Sequence, residues 1–217
     1  MSALGEARED LERQARELAI RVESNMMSLY RGGNIRDEES LSGALCSQLR
    51  SDRSGIIDVS IVHKQIEEPK IGADLLIAFR CTDTEWPIRS RLLVQAKRAE
   101  PDVRMATRDW DFMQDQVRKM LDIAVESFIM AYSRECGIVV FPAIAVAACR
   151  SRDLFDLRQY AFPDFVDSIF CGRIGQEPAG GSIATYGDDA WGARYELQIV
   201  ASMFRPEPEV APRMQVG

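Results

Sequence analysis

Residues 68 to 97 constrain this chain more than any other stretch. They read Glu68-Pro-Lys-Ile-Gly72-Ala-Asp74-Leu-Leu-Ile-Ala-Phe, then a polar turn, then Arg91-Leu-Leu-Val-Gln95-Ala-Lys97. Two strand-like apolar runs each hold polar residues where a buried strand would normally hold none. The first run opens on the carboxylate of Asp74. The second ends on an amide, Gln95, and an ammonium, Lys97. Side chains alternate faces along a strand, so Gln95 and Lys97 point the same way. If the two runs pair as neighbours, Asp74, Gln95 and Lys97 converge on one spot. A carboxylate, a neutral oxygen and a lysine around one point suit a divalent metal and a water-activated attack on phosphate.

Periodicity supplies the frame around these runs. Leu4, Leu11, Ala15, Leu18, Val22, Met26 and Leu29 recur at three- and four-residue steps, which predicts a helix over 4–30. Gly32-Gly33-Asn34 breaks it. A second helix is expected over about 37–49, with Leu41, Leu45 and Leu49 on one face. Residues 56–66 read as a strand, followed by strands near 73–80 and 90–97. Residues 106–133 read as one long helix. Its stripe is Trp110, Met113, Val117, Met120, Leu121, Ala124, Phe128 and Tyr132, and Gly137 closes it. The run 138–147 reads as a buried strand, 152–160 as helical and 191–204 as strand or helix. Residues 172–188 are Gly-rich and suit a loop. The tail 205–217 is expected to be flexible. The expected class is α/β, with helix, three strands, helix and strand in order. One domain is expected over 1–204, its core at about 36–147.

An Asp followed on the next strand by an acid or amide, one residue and Lys resembles the PD-(D/E)xK nuclease superfamily, the restriction-endonuclease-like enzymes. Gly72-Ala-Asp74-Leu and Val94-Gln95-Ala-Lys97-Arg98 are similar to its QxK branch, in which Gln replaces the usual acid. The likeness covers roughly residues 36 to 147. It implies an αβββαβ core with a mixed central sheet flanked by helices, preceded here by the N-terminal helix. It also implies Mg²⁺ as cofactor, with Mn²⁺ able to substitute, and hydrolysis of phosphodiester bonds in DNA. Bacterial or phage-encoded restriction, repair or antiphage defence is the implied setting.

The resemblance assigns roles residue by residue. Asp74 and Gln95 would bind the metal, and Lys97 would stand beside the attacking water and the scissile phosphate. A glutamate near the start of the preceding helix would complete the ligand set. Glu38 and Glu39 are the candidates. Glu38 shares the face of Leu41 and Leu45 and is preferred. Acids are also favoured in any first helical turn, whatever their function. Glu68, with Glu67, is a supporting group or a solvated turn. Gln116, beside the stripe of the long helix, is a supporting group or a surface amide. His63 reads as an ordinary strand residue.

Composition narrows the alternatives. With one histidine in 217 residues, a multi-His metal site is impossible. The five cysteines lack any C-x-x-C spacing, which argues for reduced thiols in a cytoplasmic protein and against a zinc site. No apolar run approaches the ~18 residues that span a bilayer. The net charge of −7 is unlike that of a passive nucleic-acid coat. Residues 80–119 hold nine basic and seven acidic side chains, so this segment is only slightly positive. A grip on DNA is therefore expected to come from a homo-oligomer or from a partner protein of a defence system. The contrasting expectation is a catalytically inactive protein that kept the fold as an interaction or structural module. RNA is a further substrate option.

Overall fold

In the computed structural model, described residues are 3–50, 57–63, 72–81, 89–171, 173–174 and 195–201. The N-terminal helix α1 runs Ala3–Arg31, ending where Gly32 and Gly33 begin a turn. Helix α2, Glu38–Arg50, starts on a cap: Asp37 Oδ1 accepts the Ser40 backbone N–H at 2.7 Å and Oδ2 accepts its hydroxyl at 2.8 Å. Three strands follow: β1 (Ile57–His63), β2 (Leu75–Cys81) and β3 (Arg89–Arg98). Helix α3 (Thr107–Ile123) leads into strand β4 (Ser127–Ser133). Strand β5 (Gly137–Pro142) is followed by short helix α4 (Ala143–Ala148) and a 3₁₀ turn at Leu154–Asp156. Strand β6 (Tyr160–Ala161), helix α5 (Phe162–Phe170) and strand β7 (Tyr195–Ala201) complete the described chain. The expected order of helix, three strands, helix and strand is present.

All seven strands form one mixed sheet in the order β1-β7-β2-β3-β4-β5-β6. Its four central strands run as an antiparallel β2–β3 pair, a parallel β3–β4 pair and an antiparallel β4–β5 pair. Alternation sorts the side chains to two faces. Leu92, Val94 and Ala96 of β3 join Phe128, Met130 and Tyr132 of β4 in a core covered by α1, α2 and α5. Leu93, Ile129 and Ala131 pack on the other face against Trp110, Met113, Val117 and Met120 of α3. The class is α/β, with helices on both faces of the sheet.

Several sequence expectations require correction. The long helix over 106–133 is two elements. Every residue of β4 is buried, so its sequence shows no alternation that would separate it from a helix. Phe128 and Tyr132 therefore extend the stripe in sequence but lie in a strand. Gly137 ends no helix. It has φ +84° as the first residue of β5, where the chain leaves the β4–β5 turn, a conformation in which glycine carries no Cβ penalty. The apolar run 138–147 is strand only to Pro142 and helix thereafter. Residues 152–160 contribute a single 3₁₀ turn. Residues 191–204 contain a strand, β7.

Helix α1 buries its own stripe. Ala15, Leu18, Ala19, Val22, Met26 and Met27 are buried in the same core as Phe165 and Ile169 of α5. Arg16 of α1 pairs with Asp164 of α5. The described part of the stripe is therefore buried within the chain. Among the described residues, no helix is long and apolar enough to cross a membrane. The tail 205–217 and the loop 175–188 lie outside the described residues.

Candidate functional site

The β2–β3 register builds the site. Leu75 pairs with Val94, and the Asp74 backbone N–H donates to the Val94 carbonyl at 3.0 Å. Asp74 therefore enters the sheet beside Gln95. Its Oδ2 accepts the Ala96 N–H at 3.0 Å and also the Gln95 side-chain amide. The carboxylate is held in one place by backbone and side-chain donors and is nearly buried. Two buried-strand neighbours thus fix an acidic group where the strand pattern alone would demand an apolar one.

Glycine sets the approach to Asp74. Gly72 has φ +76°, and a Cβ there would lie 2.3 Å from the Gln116 carbonyl oxygen of α3. The segment 72–74 therefore lies directly on α3 at Gln116, closer than any side chain permits. Gln116 itself is buried, as is Gln95. Among the described residues, Gln95 Oε1 and Gln116 Oε1 accept no hydrogen bond. A buried amide oxygen without a partner costs about 1–3 kcal/mol.

Lys97 lies on the Gln95 face of β3, one residue from the strand's end. Its ammonium is 3.8 Å from Glu38 Oε2, and Glu38 Oε1 accepts the Arg98 N–H at 3.0 Å. The Asp37 cap fixes the start of α2 and so positions Glu38. Hydrogen bonds from the Ser40 N–H and hydroxyl hold the Asp37 carboxyl below its ordinary range. Of the two candidate glutamates, Glu38 is the one brought to Lys97, whereas Glu39 is exposed. The ring of Phe112 on α3 has its centroid 5.8 Å from the Lys97 ammonium.

Tyr132 of β4 lies under α2, on the face of the sheet opposite Gln95 and Lys97. It is fully buried, and its hydroxyl is 3.2 Å from Ser42 Oγ. Burial raises its pKa well above the ordinary tyrosine value, and the charges of Asp74 and Glu38 add to that rise. Tyr132 and Phe112 were not candidates on sequence. Tyr132 lay hidden in the false helical stripe. Phe112 offered one signal, an aromatic residue off the buried stripe of α3. Glu67 and Glu68 lie outside the described residues, as does the His63 side chain.

A second group of ligand-type side chains lies on the α1–α5 side. Glu12, Asp167 and Cys171 are the described acidic and thiol groups whose ligand atoms converge. Burial pushes the Cys171 thiol up to about 11, with the Glu12 hydrogen bond acting in the same direction. Asp167 is paired with Arg173. A thiol that burial holds in its protonated form makes a poor metal ligand. Among the described residues, Cys46, Cys136, Cys149 and Cys171 form no disulfide.

No family model matches the chain, and neither a curated protein nor a solved structure matches it.

Proposed function

We propose that this chain is a divalent-metal-dependent phosphodiesterase that cleaves DNA, with a restriction-endonuclease-like fold. The observation that carries this reading is the pairing of the Asp74 carboxylate with Gln95 across β2 and β3, with Lys97 two residues further along the same face. The buried Gln95 Oε1 without a hydrogen-bond partner supports it further. The donor set fits the proposed metal. Asp74, Gln95 and Glu38 offer two carboxylates and an amide, hard oxygen donors of the kind that Mg²⁺ and Mn²⁺ prefer. These three residues would hold the ion.

When bound, the ion supplies Lewis-acid polarisation of a phosphate oxygen and a more acidic water. The protein's own groups do the rest. Asp74 is already fixed by the Ala96 N–H and the Gln95 amide, so it needs no rearrangement to act as an anchor. Lys97 carries a positive charge to the place where negative charge develops on the phosphate, a placement that acts through transition-state stabilisation. Glu38 holds the Lys97 ammonium in that position through their ion pair. DNA is the partner and the cytoplasm of a bacterial cell the expected setting, with restriction or antiphage defence as the role.

A second reading is a protein that keeps the fold without catalysis. It is favoured by the Glu38 bond to the Arg98 N–H, which ties α2 to β3 without any ligand. The deciding experiment incubates the protein with plasmid, linear duplex and single-stranded DNA, with and without Mg²⁺. Metal-dependent cleavage that disappears in Lys97→Ala supports the hydrolase. Intact DNA in every condition, together with no Mn²⁺ binding at Asp74, leaves the structural module.

A further inference from the structure

We infer that Phe112 is a stacking platform for an unpaired base of a DNA strand held at the Lys97 site. The inference rests on the reading that this site meets DNA phosphates, and it adds the form of DNA that the site accepts.

The side chain is 60% exposed, although a phenyl ring gains by leaving water. Helix α3 had an apolar face to offer it. Trp110, Met113, Val117 and Met120 fill that face and are buried. Phe112 lies on the flank instead, with the Lys97 ammonium over one face of its ring, which leaves the other face for a base. A helix of 3.6 residues per turn puts Arg108 and Gln116 on this same flank, one turn before and one turn after. Gln116 is the residue on which the Gly72–Asp74 segment rests. Arg108 is exposed. The flank therefore presents a cation, then an aromatic face, then the wall of the candidate site. Asp109 and Asp111 are exposed on either side of this flank, and Asp115 is engaged by Lys119 at 2.5 Å, so Arg108 and Lys97 are the groups that would meet phosphate.

Arg108 on the same helix flank and the Lys97 ammonium at the ring offer partners for phosphates on either side of a base. Aromatic rings beside basic side chains are the general means of gripping single strands, because every base has a π-face. A base inside a duplex has both faces covered by its neighbours. A ring fixed on a protein surface therefore meets a base only where the strand is single or its end is frayed. The geometry points to a preference for single-stranded or frayed DNA over an intact duplex.

The test measures binding in EDTA, where no metal-dependent cleavage consumes the probe. Wild type, Phe112→Ala and Phe112→Trp are titrated against fluorescein-labelled oligothymidylate and against a blunt hairpin duplex. Phe112 is exposed, so its replacement leaves the core untouched, and circular dichroism checks this. The expected result is oligothymidylate binding weakened between about five- and a hundredfold in Phe112→Ala, and retained in Phe112→Trp. The indole of Phe112→Trp is expected to be quenched by oligothymidylate, and duplex binding is expected to change less than twofold. Unchanged oligothymidylate binding in Phe112→Ala overturns the inference. So does a wild type that fails to bind oligothymidylate, or an equal loss for duplex and single strand. Cleavage in Mg²⁺ is scored separately. Phe112-dependent binding without any cleavage removes the hydrolase and keeps the platform. Cleavage with Phe112-independent binding does the reverse.

Discussion

Glu38, on the first turn of α2, stands 3.8 Å from Lys97, near the end of β3. The two come from opposite layers. Helix α2 covers one face of the sheet, and Lys97 shares the face that packs on α3. They meet only because Lys97 is close to the strand's end, where a glutamate can reach around the sheet. Glu38 is about one-third exposed, so the ion pair itself contributes little to stability. Its value lies in where it holds the ammonium.

Asp74→Ala and Lys97→Ala are each expected to reduce cleavage by at least about 10²–10³-fold while the protein stays folded. Glu38→Gln keeps the bond to the Arg98 N–H but removes the charge, so a smaller loss of activity is expected. Single-turnover cleavage of plasmid DNA, with circular dichroism on each variant, measures this. Wild-type rates in either alanine variant would falsify the assignment.

Gln95→Glu separates a metal site from a structural amide without any substrate. Gln95 now donates to Asp74 Oδ2. A glutamate there sets two carboxylates against each other in a buried place, which costs roughly 2 kcal/mol without a cation. The expected outcome is a Tm lower by about 4–8 °C in EDTA, recovered when Mn²⁺ or Mg²⁺ is added, with a larger metal-induced rise than wild type shows. Gln95→Leu is expected to be inactive. A Gln95→Glu melting curve indifferent to metal would remove Gln95 and Asp74 as ligands.

Gly72→Ala tests the contact that seats Asp74. The added methyl meets the Gln116 backbone at a distance no Cβ tolerates, and φ +76° is itself unfavourable for alanine. A loss of at least about 2 kcal/mol is expected from strain and overpacking together. Urea unfolding measures it. If Gly72→Ala matches wild type in stability, the segment does not rest on α3.

The β4–β5 turn carries an acid-sensitive contact away from the site. Glu100 accepts from Ser133 Oγ at 2.7 Å, from the Arg134 N–H at 2.8 Å and from the Glu135 N–H at 3.3 Å. Burial acts to raise its pKa, but these donors outweigh it and the net shift is below the ordinary 4.5. A depressed carboxyl stabilises the fold above its unfolded pKa and loses that contribution as pH falls through the folded value. Glu100→Gln is therefore expected to cost about 1 kcal/mol at pH 7, part of it screened by solvent. The gap to wild type should close below pH 4.5. Melting curves between pH 7 and pH 3 decide it, and a gap that stays constant to pH 3 rules it out.

Much of the site was legible because its chemistry violates the strand pattern. Asp74, Gln95 and Lys97 stand out as polar residues in apolar runs, and alternation alone puts the last two on one face. Glu38 was legible through the Leu41–Leu45 stripe of α2. Other parts were hidden for the reason that hid β4. A fully buried strand has no polar face, so Ser127–Ser133 shows no period of two, and four-residue spacing links Phe128 and Tyr132 to a helix that has already ended. The role of Gly72 could not be read either, because a glycine beside an aspartate also fits an ordinary turn. Only the distance to Gln116 distinguishes the two. Phe112 needed exposure and the position of Lys97, which come from tertiary packing and leave no mark on local periodicity.

Strand β7 has a consequence for the order in which the protein can be completed. It sits between β1 and β2, pairing Ile57 with Ala201 on one side and Leu75 with Tyr195 on the other. A ribosome releases β1 and β2 more than a hundred residues before β7. Until then both strands expose an unpaired backbone edge, the feature through which nascent chains stick to one another. The β2–β3 hairpin that carries Asp74 and Gln95 can close at once, since its contacts are local. A chain that stops short of residue 195 would therefore hold the acidic residues of the site on a sheet that cannot be finished. Such a fragment is a target for chaperones and proteases, so the sheet that carries the candidate site is completed only once β7 is made.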